Sequence, residues 1–215
     1  MRDKNGVPDL ILPDPGKDTI VEMVLLACEV LFRWEEFHWT TMGFGMIRTY
    51  LDAKKQWRFN IWDDRLRVPD VSTIHTHPWS FTSYIIAGEI LDSKYMIGKG
   101  QATHSISEIT TGVAGQTPKI LGTCELIPLW RRQYQVGDRY MYDLTEIHET
   151  AYRRGTVTLN DRTPPTKDHT AKVFYNLNDP WVDAIPRDAK SEEVEQAVSA
   201  ALRMMVSSGV ARKNE

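Results

Sequence analysis

Ile74-His75-Thr76-His77-Pro78-Trp79-Ser80-Phe81-Thr82-Ser83-Tyr84-Ile85-Ile86-Ala87-Gly88 is the stretch on which the fold turns. In extended chain, residues two apart share a face. The spacing therefore predicts that His75 and His77 aim their imidazoles into one space, as two nitrogen ligands of a metal ion would. Residues 83–88 read as a buried strand closed by a turn glycine. Ser83 points to the side of the histidines, while Trp79 and Phe81 stand where they could line a pocket mouth.

A second segment, residues 137–148, opens on a Gly-Asp turn, continues through Tyr140-Met141-Tyr142 and ends on His148. Taken with the first, it resembles the two motifs of the cupin superfamily. His75, His77 and Gly88 match the first motif. Gly137 and His148 match the eleven-residue span of the second, although Asp143 and Thr145 stand where proline and glycine are usual. The resemblance covers roughly residues 45–178. It implies an all-β fold with flanking helices, an antiparallel jelly-roll barrel (the double-stranded β-helix of cupins), and a metal site of His75, His77 and His148. The family's acidic ligand would fall at Phe81 or Thr82, and neither ionises. A three-histidine set without carboxylate resembles thiol dioxygenases of the cysteine dioxygenase type. One divalent ion is implied, with iron favoured and zinc, manganese or nickel also fitting imidazole ligands. Glu146, two residues before His148, is a candidate ligand or supporting carboxylate.

Around the site, Trp57-Arg58-Phe59-Asn60-Ile61-Trp62 alternates polar and apolar residues. If Arg58, Asn60 and Trp62 face inward, Arg58 could hold a substrate carboxylate bidentately. If the aromatic face is the core, Arg58 lies on the surface. Ser83, Tyr140 and Tyr142 are further candidates for hydrogen bonding a ligand. His38, His104 and His169 have no partner at ligand spacing. The function expected is a metal-dependent, dioxygenase-like oxidoreductase acting on a small molecule. The alternative is a non-redox cupin that binds or isomerises a sugar or nucleotide derivative. A third class is an interaction protein with a vestigial site, against which the intact histidines argue.

The outer segments frame this domain. Residues 1–44 are read as a polar arm and a helix over 19–36, with Thr19 and Glu22 forming a capping box. Ile20, Met23, Val24, Ala27, Leu31 and Trp34 make its apolar face. Residues 179–215 carry a second helix, capped by Ser191, with Val194, Ala197, Val198, Ala201, Leu202 and Met205 as its stripe. Strands are expected at 57–62, 74–77, 83–91, 94–97, 103–110, 118–129 and 131–135, and again through 137–148, 155–159 and 171–175. The chain has 215 residues, 41% hydrophobic and 26% charged, with a formal net charge of −3, which suits one soluble domain. Lysines and arginines are scattered, so no nucleic-acid footprint is expected. The apolar run at 20–32 is too short for a bilayer. Cys28 and Cys124 are too few for a disulfide framework and fit a reducing, cytoplasmic setting. A homodimer is expected from the general tendency of such folds to cover apolar surface by two-fold pairing.

Overall fold

The computed structural model describes residues 8–14, 20–168, 170–184 and 186–210. Thr19 and the expected capping box fall outside these residues, as does His169. Helix α1 spans Ile20–Phe32, followed by a short 3₁₀ turn, Trp34–Glu36. Thirteen strands follow: β1 (Thr40–Met42), β2 (Phe44–Tyr50), β3 (Trp57–Arg67), β4 (Ile74–His75) and β5 (Phe81–Ala87). Next come β6 (Glu89–Gly98), β7 (His104–Thr110), β8 (Lys119–Gln135) and β9 (Arg139–Tyr142). The last are β10 (Ile147–Tyr152), β11 (Val157–Arg162), β12 (Thr170–Asn176) and β13 (Arg187–Asp188), before helix α2 (Ser191–Ser207).

Among the described residues the fold is mostly β, with two antiparallel sheets and two α-helices. One sheet has the order β13-β1-β2-β3-β11-β5-β9. In the other, pairing runs β10-β4-β12-β7-β8-β6 and returns from β6 to β10. The strands expected at 118–129 and 131–135 form the single strand β8. Pro128 sits at its break in register opposite β6, where a missing N–H is tolerated. The β region also exceeds the expected limits of 45–178, since β1 and β13 pair with each other outside them.

Alternation along β3 decides how the layers stack. Trp57, Phe59 and Ile61 face one way and pack with Ile47, Val157 and Leu159 against both helices. From α1 this core takes Met23, Leu26, Ala27, Val30 and Leu31. The expected α1 face was rotated, because Ile20 is exposed and Leu26 and Val30 are buried in its place. In α2 the stripe holds except that Met204 replaces Leu202, which lies at the solvent edge. Ser191 is the first helical residue rather than the cap. Lys190 takes that position, and its N–H donates to Glu193 Oε2 at 2.9 Å. Among the described residues no helix is long and apolar enough to cross a membrane.

The two motif glycines sit where a left-handed backbone is required. Gly88, at φ +78°, links β5 to β6, and Gly137, at φ +92°, turns β8 into β9. At Gly88 a Cβ would also meet Thr156 Oγ1 at 2.4 Å and Thr156 Cα at 3.0 Å. That hydroxyl is already committed, accepting from Glu89 N and donating to Glu89 O. Gly88→Ala is therefore expected to destabilise the protein by about 2–4 kcal/mol, from the strained φ plus the clash. Urea denaturation checks this, and an unchanged midpoint would refute it.

Candidate metal centre

The polar face of β3 turns away from the helices, toward the space between the sheets. Arg58 and Asn60 are buried there, at 5% and 0% exposure, so both faces of this strand are interior. The reading of Arg58 as a surface residue is corrected by this. A cavity of about 530 Å³ opens between the sheets, lined by residues of both. Its volume is within the usual range for small-molecule sites.

Three histidines reach one point of its wall. His75 on β4 pairs directly with His148 on β10. His77 lies just beyond β4, ahead of Pro78, so the two histidines are not neighbours on one regular strand as alternation alone would have them. Their rings nonetheless meet edge to face, with centroids 4.6 Å apart. One ring nitrogen from each of the three lies within 4.8 Å of the others, close enough to hold a metal ion between them. His77 Nε2 and His148 Nε2 stand 3.0 Å apart. Two nitrogens each about 2.1 Å from a shared ion stand about 3.0 Å apart when they subtend a right angle, so the donors fit.

The surroundings set the tautomers. His75 Nδ1 is 2.8 Å from the carbonyl of Thr73, to which it can only donate. His148 Nδ1 is 3.1 Å from Asp92 Oδ1, which is buried completely. Each contact leaves the Nε2 lone pair free for the cluster. Burial, with the nearby His148, pushes His75 down to about 3. Burial, with His75 and His148, holds His77 well below its ordinary value. Both rings therefore stay neutral at pH 7, the form in which imidazole binds metals. Phe44 stacks on His75, and Trp79 and Phe81 flank His77 and line the cavity.

Asp92 is the residue that sequence reasoning missed. It lies four positions past Gly88, on the inward face of β6 together with the buried Ile90, opposite Thr150 of β10. It accepts from His148, from Thr150 Oγ1 at 3.2 Å and from the Tyr142 hydroxyl. A lone carboxylate in the apolar register of a strand was the available signal. Glu146, the carboxylate that spacing suggests for this place, does not take it. Instead its carboxylate pairs with Lys94 and accepts from Asp143 N at 3.0 Å. It thus closes the turn that lacks the motif's proline and glycine, away from the cluster. Tyr142 stands behind His148, their ring centroids 4.2 Å apart. Burial and the Asp92 charge raise its phenol well above the ordinary range, so its proton stays in place.

Of the other candidates, Arg58 and Tyr140 line the cavity. Burial, then the charge of Asp92, raises the Tyr140 phenol, which remains protonated. Asn60 and Ser83 form a layer behind the wall. Asn60 Nδ2 donates to Asn160 Oδ1 and Thr158 Oγ1, both at 3.0 Å, and Ser83 Oγ donates to Asn160 Oδ1 at 3.3 Å. These bonds fix Asn160, which does face the cavity. His38 is an exposed partner of Asp188, and His104 bonds Thr103, so neither joins the cluster.

Replacing Asp92 by Asn removes the charge that orients and polarises His148. Divalent-metal affinity is expected to fall by about 10- to 100-fold. Competitive chelator titration measures it, and parent-like affinity would show that Asp92 serves only packing.

No protein-family profile matches this chain, and no curated protein sequence matches it. Among solved structures, similarity is found to the crystal structure of Peruvianin-I, a cysteine peptidase from Thevetia peruviana latex. The two share 11% identity over 69% of each chain, with a TM-score of 0.26, an overlap too slight to carry an argument.

Proposed function

We propose that the chain is a jelly-roll cupin and a metal-dependent oxidoreductase of the dioxygenase kind, acting on a small molecule in the cavity between its sheets. The observation that carries this reading is the convergence of three neutral imidazoles on a cavity wall, with Asp92 behind His148. The direct pairing of His75 with His148, and the left-handed turns at Gly88 and Gly137, support the cupin part. His75, His77 and His148 would hold the ion, with iron favoured. Three neutral ligands would leave it its full charge and open positions, supplying Lewis acidity and, for iron, dioxygen activation.

The chain's own residues do the rest. The Thr73 carbonyl and Asp92 keep two imidazoles in the metal-binding tautomer. Trp79, Phe81 and Phe44 make that wall apolar, which excludes water and strengthens electrostatic interactions within it. Tyr140 offers a protonated phenol that can donate a hydrogen bond to a bound anion or enolate.

Metal analysis of protein purified without chelator tests the first half, with about one divalent ion per chain expected. Oxygen uptake by iron-loaded protein, across a panel of small thiols and enolisable acids, tests the second. Uptake in the parent and none in His148→Ala is the expected result. Full metal content without uptake on any of them would leave the site standing and move the reading to a non-redox cupin. We also propose a homodimer, because α1 turns Val21, Leu25 and Phe32 outward at 60%, 60% and 79% exposure. Light scattering at micromolar concentration that returned 24.7 kDa, the mass of one chain, would exclude it.

A further inference from the structure

One end of the cavity is strongly basic, and among the described residues its arginines have no ion-pair partner. Arg48 and Tyr50 of β2, Arg58 of β3, Arg162 of β11, and Lys54 and Lys55 from the β2–β3 turn all line it. Tyr50 pairs with Arg58 across β2 and β3, and Arg58 pairs with Asn160 across β3 and β11, so three adjacent strands build this wall. Arg58 and Arg162 are only 5% and 6% exposed. Among the described residues no carboxylate lies within ion-pair distance of Arg48, Arg58 or Arg162. Among the described residues Arg58 Nε finds no acceptor, and neither does Trp79 Nε1 on the same cavity.

The existing contacts orient these groups without neutralising them. Arg162 donates from Nε to the Lys55 carbonyl at 2.9 Å and lies over the Trp79 ring, 4.2 Å from its centroid. Arg48, Lys55 and Arg162 all approach the face of Tyr50, 5.1–5.9 Å from its centroid. Asp52, on the same turn, accepts from the Trp57 N–H at 2.7 Å; its charge acts on Arg162 from beyond ion-pair distance, the last of the influences on that group and well behind burial. Asp161 accepts from Gln56. Burial, then repulsion from Arg48, presses the Arg58 guanidinium below its ordinary value, with Tyr50 opposing and Arg162 adding to the effect.

A buried charge without a counter-charge is costly, and a protein retains one where a ligand supplies the opposite sign. A monocarboxylate occupies one guanidinium fork. Five cations on one wall ask for more than one negative charge and more than two acceptor oxygens, which a phosphate provides. We infer that this end of the cavity binds the phosphate group of a small phosphorylated molecule, with Arg58 and Arg162 as its buried anchors. Resting on the reading of this cavity as the substrate site, the remainder of that molecule lies toward the histidines.

Calorimetric titration with inorganic phosphate tests the proposal, on metal-loaded and chelator-treated protein, against acetate at equal ionic strength. Phosphate is expected to bind both forms and acetate neither. Arg58→Met should weaken phosphate by at least about tenfold. It should also melt no lower than the parent in phosphate-free buffer, because an unpaired buried charge has been removed. Should that variant fail to fold, Lys54→Ala, at an exposed position, should weaken phosphate measurably. The proposal is overturned if chelated parent does not bind phosphate, if acetate binds equally, or if a folded Arg58→Met keeps parental affinity. Metal content measured on the same samples separates this outcome from failure of the metal site. His75→Ala should lose metal and still bind phosphate.

Discussion

Alanine at His75 or at His148 is expected to lower divalent-metal affinity to the same degree, by on the order of 100-fold. Four-ligand zinc sites gain about 10–16 kcal/mol in all, so one imidazole is worth about 3 kcal/mol. The equality follows from position. The two residues face each other across β4 and β10, and each presents an Nε2 whose lone pair is freed by a contact on its own Nδ1. His77→Ala should match them, since its Nε2 stands 3.0 Å from that of His148. His38→Ala, at the exposed pair with Asp188, is the control and should leave metal content unchanged. Dialysis against limiting metal, followed by elemental analysis, reads the outcome. Retention of parental affinity after either substitution would dispose of the three-histidine site.

What was legible in the sequence came from two sources. Short-range spacing marked the turns at Gly88 and Gly137 and the closeness of His75 to His77, whereas the joining of His148 to them, 73 positions from His75, was implied only by the resemblance to a known pair of motifs. Asp92 could not be placed by either, because its role depends on which residue of β10 it faces, and register between strands more than fifty residues apart is written nowhere in the local pattern. Glu146 looked suitable by spacing, but the turn at 143–146 and Lys94 consume its carboxylate. The orientation of β3 was undecidable for a different reason. Its aromatic face is covered by helices and its polar face by the second sheet, so both readings of the alternation describe a buried face. Both helices bury a face rotated slightly from the one their periodicity predicts, as Leu202 and Met204 show. Periodicity gives the width of an apolar face more firmly than its centre.

The second large effect is an acid instability of the metal-free protein that begins near pH 6.5. His75 is pushed down to about 3 in the folded chain, and His77 also lies well below its ordinary value, whereas both return to about 6.5 on unfolding. Between these limits the unfolded state binds more protons than the folded one, so stability falls as pH falls. The contribution is fully present above pH 6.5 and is lost on descent toward the folded values. Each such group costs at most about 1.4 kcal/mol per pH unit, and two cost about 3 kcal/mol per unit. For a chain of this size that is a drop of about 5–10 °C in melting temperature per unit. Carboxylates held low by cationic partners, such as Glu193 at about 2 and Asp64, titrate below the upper part of this window. The slope between pH 6.5 and about 5 thus reports on the imidazoles, His75 and His77 above all, with a part from His104, which burial also lowers. Scanning calorimetry of chelated protein should give that slope, and the double variant His75→Gln with His77→Gln should flatten it while losing metal. If the double variant kept the parental slope, the acid sensitivity would belong to other groups. The two rings would then lack the enforced neutrality on which their fitness as ligands rests.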